Sequence, residues 1–458
     1  MSQLQQPGTA AAPGAADPGA PGAAPRRLLD ARHAMAVCVG TVIGAGIFRA
    51  SPNVAASVMS AAPLFGTWVV GGILSLLGAL CFAEMAAAFP HAGGDYAFLA
   101  RAYGRRLALL FAWSRFSVIH TGSMALLAFV FGDYLSQLFN FGHWTSPIFG
   151  ALAVIVLIIV NLRGIHLGIG TQVGLMSLVI FGLSCVFLAG AWQVGHGVEA
   201  ATPVGVSLAA SDRTSIGTAM IFVLLAYGGW SDAATLSAEM RDERRGIVLA
   251  LIGGMSIVAL LYLGANWGYV RVLGLDGLAA SHAPAADAMR LAFGRPGEIL
   301  MVATVATAAI SVMNALLIVG ARTTYAAARD WPGAARLGRW DALRGTPAQA
   351  MIAMGVVAVA QIGFGSLTPQ GFSTMVDFLT PVYWFFLSLS ALAVIVLRMR
   401  HPEAPRPFRV PGYPVTPLVF FCSCLYMLYS SLVYVRAGAL VGVAVLALGG
   451  LLLLRRSR

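Results

Sequence analysis

Two glycine clusters interrupt long apolar stretches of the chain, Gly40-Thr41-Val42-Ile43-Gly44-Ala45-Gly46-Ile47-Phe48 and Ala226-Tyr227-Gly228-Gly229-Trp230-Ser231. Glycine disfavours helix by about 1 kcal/mol relative to alanine, so such clusters mark where an apolar helix unwinds. Unwound backbone exposes N–H and C=O groups that hold charge. Amides at the start of the helix after Gly46 favour a carboxylate, and carbonyls freed at Val42 and Ile43, or around Leu225 and Ala226, accept from an ammonium group. Tyr227 and Trp230 flank the second break, and Asp232 follows at once. A carboxylate at that depth needs a partner or water; a proton, a solute amine, or an ion pair with Arg49 or Arg115 would answer that need.

Other polar residues fall inside apolar stretches. His120 titrates near neutral pH and is a candidate proton relay, with a packed, hydrogen-bonded neutral ring as the alternative. Asn314 with Ser311 suits either a small cation beside the first break or an interhelical hydrogen bond. Tyr383-Trp384-Phe385 supplies a gate or ordinary aromatic packing, and Glu84 pairs with loop arginines. The five cysteines (Cys38, Cys81, Cys185, Cys422, Cys424) all lie within apolar stretches and have no metal-ligand spacing, so no metal, no cofactor and no disulfide-linked subunit is expected. No Ser/His/Asp or metal constellation supports an enzyme.

These residues need a membrane to position them. The chain is 59% apolar and 10% charged, with mean hydropathy +0.81. Twelve apolar stretches approach the ~20 residues that cross a bilayer. They lie near 34–58, 63–89, 106–138, 147–162, 170–193, 215–238, 246–270, 297–328, 348–364, 371–397, 415–435 and 438–454. The formal charge of +11 is topological. With the N-terminus inside, Arg213, Arg271, Arg290, Arg295 and Arg436 fall outside and Arg49 and Arg115 within spans; the rest of the 29 cations, all arginine, fall on the cytoplasmic side. That pattern puts both termini in the cytoplasm and argues against nucleic acid. Residues 1–25, rich in Ala, Pro and Gly, read as a disordered cytoplasmic tail, and 26–458 as one transmembrane domain. The breaks open the first and sixth spans, the pattern of an inverted repeat over 34–193 and 215–397 with 415–435 and 438–454 appended.

Gly44-Ala45-Gly46-Ile47-Phe48 resembles the G-S-G-I-F motif of the amino acid–polyamine–organocation superfamily. Phe82-Ala83-Glu84-Met85 through Phe89-Pro90-His91-Ala92-Gly93-Gly94-Asp95-Tyr96 resembles its signature after span 2. Ala226-Tyr227-Gly228-Gly229-Trp230 and Arg406-Pro407-Phe408-Arg409-Val410-Pro411 look most like the L-type amino acid transporter branch. The resemblance implies an all-α membrane protein of twelve helices with a LeuT-type 5+5 inverted repeat, discontinuous in helices 1 and 6. It implies amides at Ala45 and Gly46, near Gly44, for a substrate carboxylate, carbonyls near Val42, Leu225 and Gly228 for its amine, and Tyr227 and Trp230 shaping pocket and gate. Ala45 replaces the usual serine, Leu225 stands where mammalian L-type proteins have a gating phenylalanine, and Val179 occupies the span-5 position where related branches carry lysine.

The expected activity is alternating-access transport of neutral L-amino acids across the inner membrane, by exchange or uptake. The alternatives are a cationic amino acid or polyamine carrier using Asp232, or a membrane amino acid sensor. His120, Asn314, Tyr383 and Asp232 are the coupling or gating candidates.

Overall fold

The computed structural model describes residues 35, 38–40, 42–44, 46–58, 60–91, 94–163, 169–197, 215–233, 246–330, 334–341, 346–434 and 437–455. The tail at 1–25, Ala45 and the side chain of Asp232 lie outside the described residues. The described elements are helices: α1 Ile47–Val58, α2 Ala61–Ala88, α3 Asp95–Tyr103, α4 Arg105–Ser114, α5 His120–Leu135, α6 Thr145–Leu162, α7 Ile169–Gly195, α8 Ile216–Ala226, α9 Trp230–Ala233, α10 Gly246–Ala280, α11 Pro284–Asp330, α12 Ala348–Gly365, α13 Gly371–Arg400, α14 Val415–Tyr434 and α15 Ala437–Arg455. In a bilayer only helices and closed barrels satisfy every backbone polar group, and these apolar, leucine- and alanine-rich segments take the helical solution.

Among the described residues nine helices are long and apolar enough to cross a membrane, and Ile216–Ala226 and Gly438–Leu452 are shorter apolar helices. α1 and α8, the helices at the two breaks, are short because the glycine clusters stop them. α10 and α11 outrun the expected spans, each continuing through a glycine with positive φ, Gly274 (68°) and Gly294 (68°). α4 runs into α5 through a π-helical turn, Arg115–Ile119, in which the His120 N–H bonds the Arg115 carbonyl.

Burial sorts centre from rim. The most apolar stretch of Arg105–Leu135 is 72% buried and that of Gly371–Arg400 67%, against 33% for Thr145–Leu162 and Val415–Val433. α1 and α8 pack on each other, with α2, α10 and α11 against α1 and α2 and α14 against α8. The rim carries exposed Leu260, Val356, Leu432 and Leu440, as a lipid-facing surface requires.

Without a hydrophobic force between helices in lipid, close approach depends on small residues. α5 and α6 illustrate it: a Cβ at Gly132 would run into the Ser146 carbonyl oxygen, and one at Gly150 would lie 2.7 Å from the Ala128 carbonyl oxygen. Gly132→Val is expected to cost about 1–3 kcal/mol through overpacking and to lower the melting temperature of the detergent-purified protein. Gly66→Ala in α2, where a methyl meets open space, is expected to leave that temperature unchanged or slightly raised.

Candidate functional site

The two breaks face each other: a Cβ on Gly46 would sit 3.7 Å from the Ala226 Cα. α1 starts immediately after Gly46, whose carbonyl accepts from the Arg49 and Ala50 amides, so the first-turn N–H groups of α1 point back at the break. α8 ends at Ala226, and Gly229 then takes φ 100°, a conformation side chains oppose, before α9 begins.

One side chain joins the breaks. The Tyr262 hydroxyl of α10, fully buried, lies 2.9 Å from the Val42 carbonyl oxygen and 3.1 Å from that of Ala226. Its single proton serves the two carbonyls between them. Tyr262 packs edge-on against Trp68 (ring centroids 5.6 Å) and beside Tyr227 (5.1 Å). Nothing in the apolar pattern of this helix singles it out; a mid-span hydroxyl was the only signal.

Between the breaks lies a cavity of about 190 Å³, smaller than the roughly 300–1,000 Å³ of pockets for drug-sized ligands. Val42, Gly44, Gly46, Leu225 and Gly228 line it, as do His120 and Tyr383. Its other walls are mostly apolar, including Leu126, Phe222, Val312 and Leu316, with Ser123, Ser231, Asp95 and Arg115 as the further polar groups. The π-helical turn explains how residues five apart cooperate: it brings Arg115 Nε to donate to His120 Nε2 at 3.0 Å, so that ring nitrogen carries a lone pair.

Several of the sequence candidates are placed away from the cavity wall. Tyr227 does not line the cavity; it turns back onto α2, where its hydroxyl donates to the Trp68 carbonyl at 3.2 Å. Trp230 is likewise packed elsewhere, its ring 5.0 Å from Phe82 and 6.0 Å from Phe420. Asn314 accepts from Asn161 Nδ2 at 2.7 Å, an interhelical hydrogen bond away from the cavity wall. Ile43 is buried without lining the cavity. The Val42 carbonyl is already engaged by the Gly44 amide (2.7 Å) and Tyr262, which takes up both of its lone pairs. Arg49 donates to Asp133 Oδ2 at 3.2 Å.

The cavity is bounded at one end by Phe372 of α13, which stacks on Phe222 of α8 (6.3 Å, 16° between planes). Glu84 of α2 does not line the cavity; it accepts from Arg398 Nε (2.7 Å) and Nη2 (2.6 Å) and from the Val410 amide (2.7 Å), with Arg406 at 3.6 Å.

A sequence profile described as amino acid permease matches residues 29–448, almost the whole chain. The chain belongs to this amino acid permease family. Among curated relatives, it is 28% identical to the human b(0,+)-type amino acid transporter 1 over 82% of this chain and 77% of the relative. It is 27% identical to the serine/threonine exchanger SteT of Bacillus subtilis (strain 168) over 87% and 90%. It is 26% identical to the mouse large neutral amino acids transporter small subunit 2 over 97% and 85%. The protein is thus a multi-pass membrane transporter of the amino acid permease family, and its activity is secondary transport of amino acids.

Proposed function

We propose that this permease carries neutral L-amino acids, binding one zwitterion at a time in the cavity between the breaks. The observation that carries the reading is the meeting of two helix breaks at a small cavity whose remaining walls are mostly apolar. The α-carboxylate sits at the first-turn amides of α1, near Gly44, Ala45 and Gly46. The α-amine sits toward Leu225 and Gly228, because Val42 is engaged by Tyr262 and serves to position the break. His120 and Tyr383 face the solute, while Asp232, next to Ser231 on the wall, remains the candidate for a coupling proton.

The wider frame of the proposal is the twelve-helix, LeuT-type 5+5 repeat. It is supported by the nine long spans, the two short helices at the breaks and the last apolar helix. Cytoplasmic termini in the inner membrane follow from the arginine distribution, and the absence of a cysteine outside apolar stretches favours a carrier without a disulfide-linked subunit.

A mostly apolar wall in which Asp95 and Arg115 carry opposite charges favours neutral over cationic solutes. Counterflow into proteoliposomes with a panel of labelled amino acids tests this. Neutral amino acids are expected to exchange at least about tenfold faster than lysine, arginine or a polyamine, a difference of ~1.4 kcal/mol. Equal or faster flux of the cations would replace the neutral reading with the Asp232 carrier, and binding without flux would favour a sensor.

A further inference from the structure

Arg49 is a cation inside the first span that the substrate site does not use, and its three donor groups tie α1 to two other elements. Nε donates to Asp133 Oδ2 of α5 at 3.2 Å, Nη1 to the Ser281 carbonyl at 3.4 Å, and Nη2 to His282 Nδ1 at 2.9 Å. Ser281 and His282 lie in the link between α10 and α11. The guanidinium also lies over the Phe372 ring, 5.5 Å from its centroid.

Phe372 is the wall shared by two cavities. On one face is the substrate cavity. On the other is a cavity of about 290 Å³ with Arg49, Asp133, Asn140, His143, Gln370 and His282 among its lining. Phe372 is common to both linings and so stands on a route from the polar cavity to the substrate site, and Arg49 is the group laid across that ring.

The bond to His282 has a protonation requirement. Arginine only donates, so His282 Nδ1 must present a lone pair, and the ring must be neutral with its proton on Nε2. A second proton turns the 2.9 Å hydrogen bond into two N–H groups and two cations pressed together. We propose that His282 is a proton-binding site that controls the polar mouth of the transport pathway: the neutral ring latches Arg49 across Phe372, and the protonated ring releases it. The inference rests on the cavity between the breaks being the amino acid site.

The surroundings set the direction of the response. Arg49 opposes a proton on His282, while Asp133 and Asp287 favour one. Asp287 is held by Ser281 Oγ (2.6 Å) and Arg290 (2.9 Å), which also faces Glu298 at 3.8 Å. His143 is the other titratable ring lining the polar cavity. Burial and Arg49 outweigh the carboxylates, so the latched ring titrates below the ordinary 6.5. A ring freed from Arg49 titrates nearer that value, so protons favour the released state. The latch holds above about pH 6.5 and opens progressively as the pH falls through it. The response follows absolute pH at the polar mouth and needs no pH gradient.

The test is counterflow in proteoliposomes of the full chain, with equal pH on both sides and values from 8 to 5. The wild-type rate is expected to rise several-fold on acidification, because protons favour the released state. His282→Gln keeps a neutral acceptor for Arg49 and is expected to be flat and slow; His282→Lys is expected to be fast at every pH. His143→Gln should retain the wild-type profile. A second readout needs no transport: Ser123→Cys on the substrate cavity wall should react with an impermeant thiol reagent from the polar mouth faster at pH 5 than at pH 8. Unchanged wild-type rates and labelling across this range, or a rise that survives in His282→Gln, would overturn the latch. Labelling that follows pH in a protein that exchanges no amino acid would instead leave the latch standing and remove the substrate reading.

Discussion

Tyr262→Phe is expected to slow amino acid exchange by about ten- to a hundredfold while leaving a folded, membrane-inserted protein. The change removes one oxygen and keeps the ring that packs against Trp68 and Tyr227. The buried carbonyls of Val42 and Ala226 both lose their contact with the hydroxyl. A buried polar group left unsatisfied costs about 1–3 kcal/mol, and about 1.4 kcal/mol is a factor of ten in rate. The penalty falls on function because these carbonyls belong to the two breaks, and Tyr262 ties one break to the other. Freed of it, each break samples other conformations, and the solute's ammonium competes with misplaced backbone. Initial rates of counterflow and the apparent KM, set beside the melting temperature, separate the effects. A KM raised several-fold with a melting shift of only a few degrees is the expected pattern. A rate within twofold of wild type would mean that the hydroxyl does not organise the breaks.

The glycine clusters were legible because glycine's cost in a helix is local and independent of neighbours. Their juxtaposition, with Gly46 against Ala226, is the tertiary consequence. Side-chain direction was not legible. Tyr227 and Trp230 sit at the break in sequence, but at the end of a helix a side chain can point either way, and aromatic partners on α2 and α14 draw these two off the cavity. Tyr262 was not singled out, because an aromatic residue in an apolar helix carries no periodic signal of its hydroxyl's task. The π-helical turn that aligns Arg115 with His120 has no compositional mark at all. Arg49 and Phe372 are more than three hundred residues apart, and only the fold brings them together. Glu84 shows the intermediate case. Its pairing with loop arginines was readable from charge and depth, whereas which arginines hold it depends on how α13 ends and the following loop folds back.

That loop leads to the second large effect. Glu84 is 2% exposed, and three groups converge on its carboxylate: the Arg398 fork, the Arg406 guanidinium and the Val410 amide. Arg398 is itself stacked on Tyr413, 3.7 Å from the ring centroid, and Arg406 donates to the carbonyls of Leu397 and His401. The carboxylate therefore fastens α2, the end of α13 and the strap entering α14 at one point. Removing one partner of a buried pair costs about 3–5 kcal/mol, because the remaining charges lose their counterion without regaining water. Glu84→Ala is accordingly expected to lower the yield of monodisperse protein sharply and to drop its melting temperature. Glu84→Gln, which keeps an acceptor for one guanidinium N–H, should fall between it and wild type. The double variant Glu84→Gln with Arg398→Met is expected to be less destabilised than the sum of its singles, since each change has already broken the same bond. Strict additivity would place the two residues in separate networks. It would assign the fastening of α2 to the Val410 amide and Arg406 alone.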